Sequence, residues 1–361
     1  MLGGSPVQGG ALQGLHDLPL RGPRLLVAGE GMAVRSVSGK AGERILLVDE
    51  TQANRQTIEA YELITRKLRV PRVPLLFRAL AGEKALLPCW QAMRPAVRLR
   101  AFEEGADELR ASAARAAVEM GCPLIETQLE WAGYDVDEID EIRSQVNVFH
   151  YQNAKLLLAI VVLREALSGT AGGGKETPRA MQRVPRGVPH EAGIVELVPE
   201  DADGSLLKLF KSIRAHLGLG YVADDFRAFG RWPKYLGLAW EDARKRDSEP
   251  RCRAALDDLW MQAESAATAL PAKVSIGSSE LLAAGADPIR VRALVERFRR
   301  ALPGLTLDVA RFKVQLDGPE DALDSPFPVR WKYINPDDYM PIGLDEPVKL
   351  RAGDPVGLEE D

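Results

Sequence analysis

At 361 residues, with 46% hydrophobic and 27% charged side chains, the chain can bury a large core and has the make-up of a globular protein. Its 52 acidic residues against 47 basic ones leave a net charge of −5 and no long basic run to neutralise a phosphate backbone, which argues against nucleic acid as a partner. Cys89, Cys122 and Cys252 form no CxxC, and His16, His150, His190 and His216 show no ligand spacing, so neither a metal nor another cofactor is expected.

In chain order, residues 1–40 are rich in Gly, lack a sustained period and read as an N-terminal extension. A brief strand-like alternation at Arg44 to Val48 precedes a helical stripe from Thr51 to Leu68, where Ile58, Tyr61, Leu63, Ile64 and Leu68 fall on one side. Pro71 and Pro74 stop it. Further helices are predicted at Glu103 to Met120 and at Ile125 to Ala132, the latter closed by Gly133. Asp135 to Phe149 follows with an acidic first turn, and then Lys155 to Leu167, apolar nearly all round. The apolar run Leu156 to Leu163 is too short to span a bilayer, and the N-terminus has no basic stretch followed by an apolar one. A cytoplasmic protein without a membrane partner is expected.

Residues 168–193, with Gly172, Gly173 and Gly174, read as a long exposed linker. The pattern then restarts. Phe77-Arg78-Ala79-Leu80 matches Phe226-Arg227-Ala228-Phe229 at an offset of 149 residues, and the same offset pairs Ile45 with Ile194, Ile64 with Ile213, Leu87 with Leu236, Phe149 with Phe298 and Leu167 with Leu316. A register held over this length predicts an all-α fold of two tandem helical repeats, residues 41–167 and 194–330, forming an intrachain pseudo-dimer. Residues 331–361 are left as a Pro- and Asp-rich C-terminal tail.

Duplication separates scaffold from chemistry, because one asymmetric reaction needs residues that do not recur. At the 149 offset, Leu75 and Leu76 face Asp224 and Asp225, while Asn153 faces Leu302 and Tyr151 faces Arg300. Two adjacent carboxylates beside the apolar Phe226, Phe229 and Trp232 would titrate as a coupled pair, and one can serve as a general base on water. They can equally be the N-cap and first-turn acids of a helix beginning near Phe226. Asn153 can orient a water or a substrate carboxylate, or cap the apolar helix that follows it. His150 reads as a satisfied or exposed side chain.

Between Val48 and Val329 the chain resembles the group I 2-haloacid dehalogenases, the DehI-like family. The resemblance is carried by Leu68-Arg69-Val70-Pro71, Ala132-Gly133-Tyr134-Asp135, the run Phe149 to Lys155, the run Asp225 to Lys234, Leu316-Asp317-Gly318 and Ser325-Pro326-Phe327-Pro328. It implies a pseudo-dimer with its active site between the repeats, in which a 2-haloalkanoic acid is hydrolysed to a 2-hydroxy acid with inversion by direct attack of water. Carried over by position, Asp225 is the catalytic aspartate and Asn153 the water-holding asparagine.

The resemblance also marks departures around the expected substrate-binding positions Arg72, Leu75, Tyr151, Asp224 and Phe298. Arg72 and Leu75 stand where the family has aromatics, Asp224 where it has a small hydroxyl, and Phe298 where it has a tyrosine. Arg72 is thereby free to bind a carboxylate or to pair with Asp224. These changes motivate a rival reading, a non-catalytic helical protein that binds a small carboxylate or a partner chain in the same seam. The expected partner is a small carboxylic acid, and whether two chains pair as a homodimer stays open.

Overall fold

A computed structural model describes residues 44–182, 195–202 and 204–323. The extension 1–40, the tail 331–361, Ser325-Pro326-Phe327-Pro328, His16, His190 and Ile194 lie outside the described residues.

The first helix, α1 (Arg55–Leu68), starts where Asn54 accepts a hydrogen bond from Thr57 N at 2.9 Å, and ends where Arg69 turns into the left-handed region at φ 57°. It is followed by α2 (Leu75–Gly82), α3 (Leu86–Val97), α4 (Arg100–Glu119), α5 (Glu126–Trp131) and α6 (Val136–Ser168). After a short α7 (Pro178–Met181) come α8 (Gly204–Leu217), α9 (Asp224–Phe229), α10 (Pro233–Arg246), α11 (Pro250–Ala269), α12 (Ser278–Ala283) and α13 (Pro288–Leu323). Among the described residues there is no strand, so the fold is all-α, as the periodicity predicts. Arg44 to Val48 is unpaired chain whose Val48 N–H bonds the Arg78 carbonyl at 3.2 Å.

The two series of helices run in parallel. α1 and α8 each have 14 residues and α8 begins 149 positions after α1; α4 and α11 each have 20, and α5 and α12 each have 6. α9 likewise begins 149 positions after α2. The strand-like lead-in recurs too: Val198 N–H bonds the Arg227 carbonyl at 3.1 Å, as Val48 does that of Arg78.

A reciprocal capping box between Asp135 and Glu138 opens α6. No Gly or Pro then interrupts the chain until the helix ends at Ser168, so the two helices expected on either side of Tyr151 are one. Asn153 therefore sits inside a helix and caps nothing, a correction to one of its two readings. As a whole, α6 is long and apolar enough to cross a membrane, which Leu156 to Leu163 alone is not; 94% of its apolar window is buried inside the protein. That hydrophobicity serves the core. α6 packs most extensively on α13, and α4 and α11 flank this central pair. α13 itself is two helical stretches meeting at Gly318, whose φ of 82° suits a residue without Cβ.

The expected exposed linker is in part docked. Ala171 exchanges backbone hydrogen bonds with Val274 at 2.8 and 2.9 Å, and Gly174 N–H bonds the Leu270 carbonyl at 2.9 Å. A Cβ on Gly172 would lie 2.2 Å from the Ala272 carbonyl oxygen, and its φ is 75°. The glycine run thus permits close backbone approach rather than looseness. Gly172→Ala is expected to cost about 1 to 3 kcal/mol in urea unfolding through strain and displacement of the α11 end; an unchanged midpoint would show that the docking is dispensable.

Candidate active site

The two halves meet polar group to polar group. α6 carries Asn153 and α9 carries Asp225, and Asn153 Nδ2 donates to Asp225 Oδ2 at 3.0 Å and to the Leu305 carbonyl of α13 at 3.3 Å. Asp225 Oδ1 accepts from Phe226 N–H at 2.8 Å. Both side chains are buried, Asp225 being 2% exposed and Asn153 4%. Phe226 and Phe229 follow Asp225 on α9 and meet Phe312 edge to face, and Phe229 also meets Phe149 of α6 at 5.6 Å. The residues that follow Asp225 on α9 are thus part of an aromatic core, and Asp225 itself is shut off from water.

Burial dominates the chemistry of Asp225. Removed from water, its carboxyl is pushed up to about 7; the Asn153 amide and Phe226 N–H pull it down, while the Asp224 and Asp308 carboxylates push it further up. A carboxylate in this range can accept a proton near neutral pH and still ionise again, as a general base requires. Asp308 is the second buried carboxyl raised by burial, to about 6, and Arg311 at 3.0 Å opposes the rise.

Asp224 lies at the first position of α9 and Asp225 at the second, with Ala223 as the cap residue. Both are first-turn acids and neither is the N-cap. Arg78 Nη2 of α2 holds Asp224 through both oxygens, at 2.5 and 2.7 Å, and its Nη1 donates to Asp49 at 2.7 Å. The expected pairing of Arg72 with Asp224 is thus replaced. Arg72 Nη1 instead donates to the Val195 carbonyl at 3.3 Å, and its buried Nε has no hydrogen-bond partner among the described residues.

Tyr151 is turned away from Asn153. Two residues of helix rotate the side chain by roughly 200°, and its hydroxyl donates to Glu103 and accepts from Lys155 at 2.6 Å. Lys155 also bonds Glu103 at 3.0 Å and the Leu68 carbonyl at 2.8 Å, while Arg69 reaches Glu103 at 2.5 Å. This buried cluster satisfies the hydroxyl completely and accounts for its position without a substrate. Leu75 and Phe298 are buried on α2 and α13 and offer no hydrogen-bonding group. His150 is buried and held neutral by the loss of water, with Arg110 and Lys313 adding to the effect.

Arg78 and Asp308 were not among the expected site residues. Arg78 had a signal: it lies in the segment that matches across the repeat, where it reads as scaffold, three residues after Leu75 and so on the same side of α2.

Known proteins share this arrangement of helices. A family model described as halocarboxylic acid dehydrogenase DehI matches residues 71–203. A configuration-inverting 2-haloacid dehalogenase of Alcaligenes xylosoxydans xylosoxydans is 30% identical over 286 residues, 74% of this chain and 93% of the relative. The chain belongs to the DehI family of 2-haloacid dehalogenases. An (R)-2-haloacid dehalogenase of Pseudomonas putida is similar at 29% identity over 279 residues, covering 74% of this chain and 91% of that one. Among solved structures, a D-2-haloacid dehalogenase mutant in complex with D-2-CPA superposes at a TM-score of 0.70 and 26% identity, over 76% of this chain and 97% of that one. This DehI-family chain is accordingly a hydrolase of the carbon–halide class.

Proposed function

We propose that the chain hydrolyses 2-haloalkanoic acids to 2-hydroxy acids by direct attack of water, with Asp225 as general base and Asn153 orienting the water. The observation that carries this reading is the 3.0 Å contact between a buried, raised carboxyl from one half and a buried amide from the other. Water gives its proton to Asp225 as its oxygen bonds to the carbon bearing the halogen, and the carbon–halogen pair of electrons leaves with halide. Attack from the side opposite the halide inverts the carbon. Fixing water, base and carbon in one dry place supplies the orientation that such a displacement needs.

The parallel helix lengths and lead-in contacts support reading residues 41–167 and 194–330 as a duplicated unit, with 168–193 between them. On that reading each copy contributes one polar group to a shared site. Arg72 is offered as the anchor for the substrate carboxylate, because its buried Nε still has a proton to donate. Leu75 and Phe298 then form walls, and in place of an aromatic Leu75 leaves room for a longer 2-substituent.

The test is chloride release from each enantiomer of 2-chloropropionate, with the configuration of the lactate and a single turnover in heavy-oxygen water. Direct attack puts the label in product during the first turnover; label retained on the protein would reject the mechanism. Because the base form of Asp225 grows as pH rises, kcat/KM is expected to climb tenfold per pH step on the acid side and level near pH 7. An acid limb that levels below pH 5 would show that a different carboxylate is the base.

A further inference from the structure

Among the described residues, a cation pairs with Asp224 and none pairs with the adjacent Asp225. Arg78 comes from the other half of the fold, is 1% exposed, and spends one nitrogen on both Asp224 oxygens and another on Asp49, whose side chain is half exposed. It therefore ties the start of α9 to α2 and, through Asp49, to the chain leading into α1. Asp225 is the next residue, and its two oxygens meet only Asn153 and the Phe226 N–H among the hydrogen bonds of the described residues. With one Arg78 nitrogen shared by both Asp224 oxygens and the other held by Asp49, the start of α9 is tethered to α2, and the turn that carries Asp225 toward Asn153 is tethered with it.

We propose that Arg78 is a positioning residue of the dehalogenation. By clamping Asp224 across the seam, it leaves Asp225 as the carboxylate of the pair without an ion pair among the described residues and sets it against Asn153. The proposal rests on the reading of Asp225 as the base. The charged groups around Asp225 are Asp224 on its own helix and Asp308 on α13, and each is held by an arginine, Arg78 and Arg311. Without Arg78, the Asp224 carboxylate would stand uncompensated beside Asp225 in a dry site and would disfavour charge on Asp225 more strongly. Asp225 would then be a poorer base at neutral pH. An anionic substrate would also meet a second negative charge.

The experiment compares wild type, Arg78→Met, Arg78→Lys, Asp224→Ser and Arg78→Met with Asp224→Ser, by pH profiles of chloride release from 2-chloropropionate. Arg78→Met is expected to lose about 10- to 100-fold in kcat/KM at pH 7 and to move its acid limb to higher pH. Arg78→Lys, which keeps the charge but not the fork, should fall between it and wild type. The double variant, which removes both buried charges together, should return to within about threefold of Asp224→Ser alone, with its limb back near the wild-type position. Should Arg78→Met fail to fold, the Lys and double variants carry the same comparison. The proposal is overturned if Arg78→Met matches wild type, or if activity falls with the acid limb unmoved and the double variant is no better than Arg78→Met. Failure of the base itself reads differently: Asp225→Asn would then retain chloride release whatever happens at Arg78.

Discussion

Asp225→Asn is expected to abolish turnover and to make the protein more stable at pH 8. Loss of the base should lower chloride release by about a hundred- to ten-thousand-fold. The stability change follows from linkage. The carboxyl is raised from its ordinary 3.8 to about 7 in the folded protein, so the folded state prefers it protonated. Its contribution is fully present below the unfolded value, declines as pH rises, and is lost once pH passes through about 7. Above that point the buried ionised group costs about 4 kcal/mol relative to the unfolded chain. An asparagine carries no charge, but leaves Asn153 Nδ2 or Phe226 N–H less well matched, which takes back about 1 to 3 kcal/mol. The net expectation is a gain of about 1 to 3 kcal/mol at pH 8 that shrinks toward zero or reverses near pH 4. Urea unfolding of both proteins at the two pH values measures it. A variant that is inactive and also less stable at pH 8 would mean that Asp225 holds the fold together rather than being held by it.

How much of the fold is legible in the sequence depends on how local each cause is. α1 is legible because its apolar stripe, its Asn54 cap and the prolines after it all agree. The all-α class follows from many such segments. α6 is harder: a run of His150, Tyr151, Gln152, Asn153 and Lys155 looks like a break between two helices, since isolated chains do not bury such residues. Tyr151, Asn153 and Lys155 are buried because partners arrive from far along the chain, Glu103 for Lys155 and Tyr151, and Asp225 for Asn153. Distances of this kind have no trace in local periodicity.

What local pattern lacks, the repeat partly supplies. Setting Leu75 and Leu76 against Asp224 and Asp225, and Leu302 against Asn153, singles out side chains that the scaffold does not need. The same comparison misleads at Arg78. Because Arg227 matches it, Arg78 reads as scaffold, yet the two arginines meet different groups. Arg227 donates to the Val198 carbonyl and to Tyr221, whereas Arg78 crosses to Asp224. On the duplicated reading, residues at matched positions can therefore meet different partners. Charge alone leaves Arg72 open to a substrate carboxylate or to Asp224, because sequence can count charges but not place them.

The buried cluster on the far side of α6 gives the second large effect, and it separates stability from catalysis. Glu103 is 1% exposed and lies between Arg69 and Lys155 while accepting from Tyr151. Glu103→Gln keeps the shape but leaves two buried cations without their carboxylate, and is expected to cost about 3 to 5 kcal/mol. Glu103→Gln combined with Lys155→Met should cost less than the sum of the two single changes, because one stranded cation is removed with the charge that held it. Lys155 and Tyr151 leave α6 on a side turned from Asn153, so the folded fraction of Glu103→Gln should keep kcat within about threefold of wild type. Urea unfolding and chloride release under conditions where the variant is fully folded measure the two effects. A kcat that falls together with stability would show that the cluster sets the angle at which α6 presents Asn153, and Tyr151 would then regain a part in the reaction through Glu103 rather than through the substrate.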